Sequence, residues 1–291
     1  MPELEVGKYY KRVILDDATG EVVHAEQFRH SVMHTERNIT VFYRKNEADP
    51  RTFLNVRLSA FPILADKLRC PLLGHAVMLA SFMKYDGCLY QHENNRYPVE
   101  KNELAEAMGV SLRTLSRAIN QLKANDIIQE VTLPIYGKEC KALKMNPEFF
   151  YRGMYERKKN SGKTAKLFLE TVQCLYKENG AAQTGFFCKL LPYLDKELNV
   201  ICSNPNRDAK FELAIPLGVE EIAEVTGTAV GNVSQYLSRM RYENKFAFAK
   251  LSAGAGTGRK VIFIMSPELA ARTGGLPTAE IMKYFDVLEA A

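Results

Sequence analysis

Residues 97–123 and 215–241 carry the same apolar pattern at an offset of 118. Leu104-Ala105-Glu106 aligns with Ile222-Ala223-Glu224, and Gly109 with Gly227. Leu112, Leu115, Ile119 and Leu122 align with Val230, Val233, Leu237 and Met240. An internal repeat constrains a fold more than any local motif, because both copies must solve the same burial problem. Each copy reads as a helix-turn-helix. The first helix has an apolar face: Leu104, Ala105 and Met108 in copy one, Ile222, Ala223 and Val225 in copy two. A glycine ends it, since glycine takes the left-handed conformation without steric cost. Ser111 is suited to cap the second helix, and Thr228 is the expected substitute in copy two, where Ala229 cannot serve. The second helix then has apolar residues at i, i+3, i+7 and i+10, which predicts one packed face.

A strand, a turn and a strand follow each helix pair. In copy one they span 126–133, Tyr136-Gly137-Lys138-Glu139 and 140–145; in copy two, 246–251, a glycine-rich tip at 253–260, and 261–265. Both copies close alike, in Met145-Asn-Pro-Glu-Phe149 and Met265-Ser-Pro-Glu-Leu269. The offset there is 120, so the second hairpin is expected to be two residues longer. Helix pair plus hairpin is the winged-helix pattern, and the expected fold class is α+β, mainly α, with two winged-helix (helix-turn-helix) domains in tandem. A long helix should precede each pair, with Leu72–Tyr85 before Asp86-Gly87 matched to Lys163–Glu178 before Asn179-Gly180. On that matching, 181–213 is an insertion of copy two, with a helix across 185–198 and a turn at Asn204-Pro-Asn-Arg207.

The first 58 residues read as a small β-rich portion. One hairpin is expected around Asp17-Ala-Thr-Gly20, and a second should join 39–44 to 52–58 around Glu47-Ala-Asp-Pro50. The expected organisation is therefore a β-rich segment 1–58, winged-helix domains at 59–152 and 163–272, a basic linker 153–162, and an amphipathic C-terminal helix 273–291. In that helix Ile281, Tyr284, Phe285 and Leu288 form an apolar stripe, for docking on the chain's own body or for a dimer contact.

Composition removes several classes. Of 291 residues, 46% are apolar and 25% charged, the balance of a globular chain. No apolar run reaches the roughly 20 residues of a membrane span. Met1-Pro2-Glu3-Leu4-Glu5 does not begin a secretory signal, so a cytoplasmic protein without a membrane partner is expected. The six cysteines form no C-x-x-C pair and are expected as small buried thiols, with no metal or other cofactor. Ser161-Gly-Lys-Thr164 fails as a phosphate loop because Arg157 stands where its first glycine should be. Gly254, Gly256 and Gly258 fall between strands rather than before a helix, and His30 and His34 lack a third ligand. No enzyme is expected.

The net charge is +5, and the excess lies between 153 and 166, with five basic residues against one acidic. That segment, with Arg157, Lys158 and Lys159, suits either a solvated linker or contact with phosphates, where neutralisation releases condensed counterions. The outward residues of the second helices are where a helix-turn-helix meets base edges. Copy one offers Ser111, Arg113, Thr114, Arg117 and Gln121; copy two offers Thr228, Asn232, Gln235 and Arg239, with Gly231 permitting close backbone approach. Arginine suits guanine, whereas asparagine and glutamine suit adenine. Lys138, Lys141, Arg259 and Lys260 are candidates for phosphate contacts from the two hairpins. The expected partner is double-stranded DNA. A protein-docking scaffold is the alternative that the fold leaves open.

The tandem units, the Asn146-Pro-Glu-Phe-Phe150 closing of the first hairpin and the β-rich entry together resemble plasmid and phage replication initiators with two winged helices per chain. The likeness spans about residues 59–270 at the level of pattern. The helix motif of the Gram-negative initiators finds no match. The resemblance implies sequence-specific binding to origin repeats, recruitment of host replication proteins, and homodimers acting as repressors. A transcriptional regulator of winged-helix type would use the same contacts.

Overall fold

In the computed structural model the internal repeat becomes an approximate two-fold axis. The structure describes residues 9–15, 22–29, 42–43, 51–90, 97–153, 164–207, 213–253, 260–272 and 285. The chain is mixed α+β, with helices and several small antiparallel sheets. Residues 1–50 with 274–277 form one compact unit, and 51–273 with 278–291 the other.

In the smaller unit, β1 (Tyr9–Leu15) pairs antiparallel with β2 (Val22–Arg29), forming the first expected hairpin. The second hairpin does not form. β3 (Phe42–Tyr43) joins β2, while β4 (Phe53–Arg57) belongs to the larger unit. From Leu54 to Arg57 every residue of β4 is buried, so the strand needs partners on both edges and cover on both faces, which a neighbouring hairpin arm cannot supply.

Those partners define the axis. β4 lies antiparallel to β8 (Thr164–Phe168), with Asn55 opposite Lys166, Leu54 opposite Leu167 and Val56 opposite Ala165. Shifting each residue by 111 maps Leu54–Leu167 onto Ala165–Val56, the reciprocal pairing of a two-fold contact. The short strands β7 (Phe150–Tyr151) and β13 (Ala270–Ala271) flank the central pair in equivalent register. Val56 faces Phe150 as Leu167 faces Ala270.

Helices α1 (Phe61–Lys67) and α2 (Cys70–Ala80) follow β4. After β8 comes α5 (Leu169–Lys189), broken at Gly180 by φ 75° and ψ 176°. Its two halves occupy the places of α1 and α2, and Gly180 takes the place of the extended Arg69. The second half of α5 crosses α2 backbone to backbone. A Cβ on Gly74 would run into the carbonyl of Ala181, and one on Gly185 into the carbonyl of Cys70, again a reciprocal contact at offset 111.

This corrects the expected matching of Leu72–Tyr85 with Lys163–Glu178. The counterpart of α2 begins at Ala181, inside the supposed insertion. The carbonyls of Gly87 and Asn199, both at positive φ, accept from the N–H groups of Met145 and Met265 at 2.9 Å. Val99 donates to the carbonyl of Leu89 as Leu217 donates to that of Ile201. Residues 201–217 thus replace 89–99, and the insertion shrinks to six residues within that stretch. Apolar helical patterns fit one another at several offsets, so sequence matching alone selects the wrong one.

Next come α3 (Lys101–Ala107), α4 (Leu112–Ala124) and the hairpin β5 (Ile128–Ile135) with β6 (Lys138–Met145). Copy two has α6 (Val219–Thr226), α7 (Val230–Arg239) and the hairpin β11 (Phe248–Ala253) with β12 (Lys260–Met265). Ile128 faces Met145 as Phe248 faces Met265, so the hairpins share one register and the second is not longer. The two extra residues lie between α7 and β11, where β9 (Arg241–Tyr242) and β10 (Lys245–Phe246) turn through Glu243 and Asn244, both at positive φ. Bridges Cys88–Lys144 and Val200–Ile264 add a short third strand to each hairpin.

One continuous core joins the sheet and both copies, with Leu54, Val56, Phe61, Leu73, Leu115, Leu167, Phe186, Phe187 and Val233 buried together. Phe285, the described residue of the C-terminal stripe, is buried against Val200, Cys202, Ala249 and Ile264. All six cysteines are free, and burial pushes the Cys88 and Cys202 thiols up to about 11. No helix among the described residues is long and apolar enough to cross a membrane.

Candidate nucleic-acid interface

In copy one, α3 starts where the Glu103 carboxylate accepts from the Glu100 N–H at 2.9 Å. It stops at Met108, followed by Gly109 at φ +63°, and Val110 donates back to the carbonyl of Ala105. Ser111 then caps α4 as expected, accepting from the Thr114 N–H at 3.1 Å, and the two hydroxyls lie 2.8 Å apart. Both hydroxyls are therefore engaged in the cap. Leu115, Ala118, Ile119 and Leu122 bury the inner face of α4. Leu112, the first of the four residues predicted to pack, stays exposed.

Arg113, Thr114, Arg117 and Gln121 are all exposed. Asn120, exposed on the same stripe as Arg113 and Arg117, was missed by the sequence reading, although the i, i+4, i+7 spacing marks it. At the adjoining hairpin, Tyr136 and Gly137 turn at positive φ and present Lys138, and Lys141 is exposed on β6. Glu130 on β5 binds Lys123 at 2.8 Å and Lys101 at 3.3 Å. Those hydrogen bonds hold its carboxyl below the usual carboxylate range. Between α4 and the hairpin lies a groove of about 700 Å³, lined by Tyr97, Leu112, Ser116, Cys140 and Lys141 among others.

In copy two the Glu221 carboxylate accepts from the Gly218 N–H at 2.7 Å, and Gly227 ends α6 at φ +63°. Thr228 does not cap α7. The capping position is Ala229, without a side-chain bond, and the Thr228 hydroxyl lies 3.9 Å from the Cys70 sulfur. Half-buried against the start of α2, Thr228 is placed away from the outward stripe. Val233 and Leu237 bury the inner face of α7, while Gly231, Asn232, Gln235 and Arg239 are exposed. Ser234 and Ser238 share that exposed side and were not singled out from sequence. Ser238 donates to the carbonyl of Ser234 at 2.7 Å.

The two surfaces differ in charge. The outer side of α4 carries two arginines where α7 has Gly231 and Gln235 at the matching positions. On the hairpins the difference reverses, because exposed Lys250 of β11 takes the place of Glu130. Sequence reading missed Lys250, whose alternation with buried Ala249 was the available signal. Lys260 opens β12 opposite Ala253. Arg157, Lys158, Lys159 and Arg259 lie outside the described residues. No family model, curated protein or solved structure matches this chain.

Proposed function

We propose that the chain is a sequence-specific double-stranded DNA-binding protein whose two halves are winged helices, working as a replication initiator of the plasmid and phage kind. The observation that carries the reading is the pairing, across one internal two-fold axis, of two helix–turn–helix–hairpin units with polar outward second helices. Two-fold symmetry in a helix-turn-helix reader is mirrored in its operator, where half-sites lie about 10–10.5 bp apart. A single chain would then span two half-sites in inverted orientation. Because α4 and α7 differ outwardly, those half-sites are alike in backbone geometry and unlike in sequence. Arg113 and Arg117 favour guanine in one half, and Asn232 and Gln235 favour adenine in the other.

The test is selection from a random duplex pool at moderate salt, followed by sequencing of the bound fraction. The expected result is one enriched motif with two unlike, inverted half-sites about one helical turn apart. No enrichment, with binding that is weak and indifferent to salt, would overturn the reading in favour of a protein-docking scaffold. The initiator role further requires the selected motif to recur as repeats in a replication origin. A single copy over a promoter would identify a transcriptional regulator instead.

A further inference from the structure

The strongest unexplained feature of both copies is an aliphatic side chain left nearly half exposed at one repeated position, in copy one at the edge of the groove beside the hairpin. Leu112 is the first residue of α4 and Val230 the first of α7, and they are equivalent at offset 118. They are 47% and 46% exposed. The core does not need them, since the inner faces are filled from Leu115 and Val233 onward. Helix stability does not explain them either, because the first turn favours proline and acidic residues. Isolated exposed aliphatics are ordinary on a protein surface. Here two copies that share few residues keep one at the same helix tip, each followed on the outward stripe by Arg113 or Gly231.

Side chains on a helix lean toward its N-terminus, so a first-residue side chain reaches past the tip. In a helix-turn-helix the N-terminal end of the second helix contacts the base edges. Among groups displayed in the major groove, the thymine C5 methyl is the apolar one. Resting on the DNA-binding reading above, we infer that Leu112 and Val230 each pack on a thymine methyl, one in each half-site, and so help set specificity. Gly231 supports this placement in copy two: among the described residues a Cβ there would meet nothing within 4 Å, so no contact they make calls for glycine beside Val230.

The experiment uses the full chain and the duplex selected as above, with each thymine replaced singly by deoxyuridine, which removes the methyl and leaves base pairing intact. One uracil in each half-site should weaken binding about four-fold, equivalent to the about 0.8 kcal/mol of one buried methylene. Leu112→Ala should erase the uracil effect in one half-site only, and Val230→Ala in the other only. Sequence-specific binding indifferent to uracil at every position would overturn the inference and leave the DNA reading standing. So would uracil effects that persist in both variants, or a selected site with no thymine in either half. Absence of sequence-specific binding would overturn the DNA reading, and this inference with it.

Discussion

Replacing Gly185 by alanine tests the junction on which the two-fold arrangement depends. The added Cβ would lie 2.8 Å from the Cα of Cys70 and overlap its carbonyl, where ordinary contacts begin at 3.4 Å. Both partners are helix backbone, so no side chain can swing away. Relief requires α2 and α5 to part by roughly 1.5 Å, and a gap of 0.5–1 Å already forfeits about a quarter to a half of each dispersion contact. Overpacking of this kind costs about 1–3 kcal/mol, and rigid neighbours place Gly185→Ala at the upper end. Against this, alanine recovers up to about 1 kcal/mol of helix propensity. The net expectation is a loss of about 2 kcal/mol. Gly74→Ala should behave alike, since its Cβ would meet Ala181 in the equivalent way. The double variant should cost clearly less than the sum, because one separation relieves both overlaps. Gly231→Ala is the opposite control: with open space around it, it should be neutral or stabilise the chain by up to about 1 kcal/mol. Urea unfolding of the four variants measures all of this. If Gly185→Ala proved as stable as the parent, or the double variant strictly additive, the close crossing of α2 and α5 would be wrong.

Other substitutions probe the interface and its frame. If the proposed DNA-binding function holds, Arg113→Ala with Arg117→Ala should cost about 1–3 kcal/mol for each base pair read bidentately and relax preference in one half-site alone, as repeated selection with the variant would reveal. Ser111→Ala should destabilise by about 1 kcal/mol through loss of the α4 cap, whereas Ala229→Ser should add stability by supplying the cap that α7 lacks; equal effects at Ser111 and Thr228 would contradict the capping assignment. His75 has its pKa lowered by burial, and its Nδ1 lies 2.7 Å from the Tyr176 hydroxyl. A histidine that resists protonation in the folded state binds fewer protons there than when unfolded, so stability should fall as pH drops through about 6.5 and level off below the folded pKa. Unfolding free energies from pH 8 to 5 should show a shallower decline in His75→Gln than in the parent, and parallel curves would exclude His75 as the cause.

The repeated helix–turn–helix–hairpin is legible from residue order, because its signals are local. Gly109 and Gly227 supply left-handed residues, Ser111 accepts from a backbone N–H three positions on, and Leu115, Ile119 and Leu122 recur at helical spacing. The turn at Tyr136-Gly137 and the first N-terminal hairpin were legible for the same reason. The outward stripe of α4 can be counted from the buried one, so Asn120 is legible from spacing alone. Which partners distant segments find depends on long-range packing that local signals do not carry. β4 pairs with β8 more than a hundred residues later because all but the first of its residues are buried, and no alternation in the sequence names the strand that covers an edge. Gly180 breaks α5 so that its second half matches α2, although the apolar pattern also fits the first half. Thr228 faces Cys70, not α7, and Leu112 and Val230 stay nearly half exposed although their spacing fits a packed face. Spacing reports which residues share a side of a helix. Only the packed fold decides which of those sides is covered.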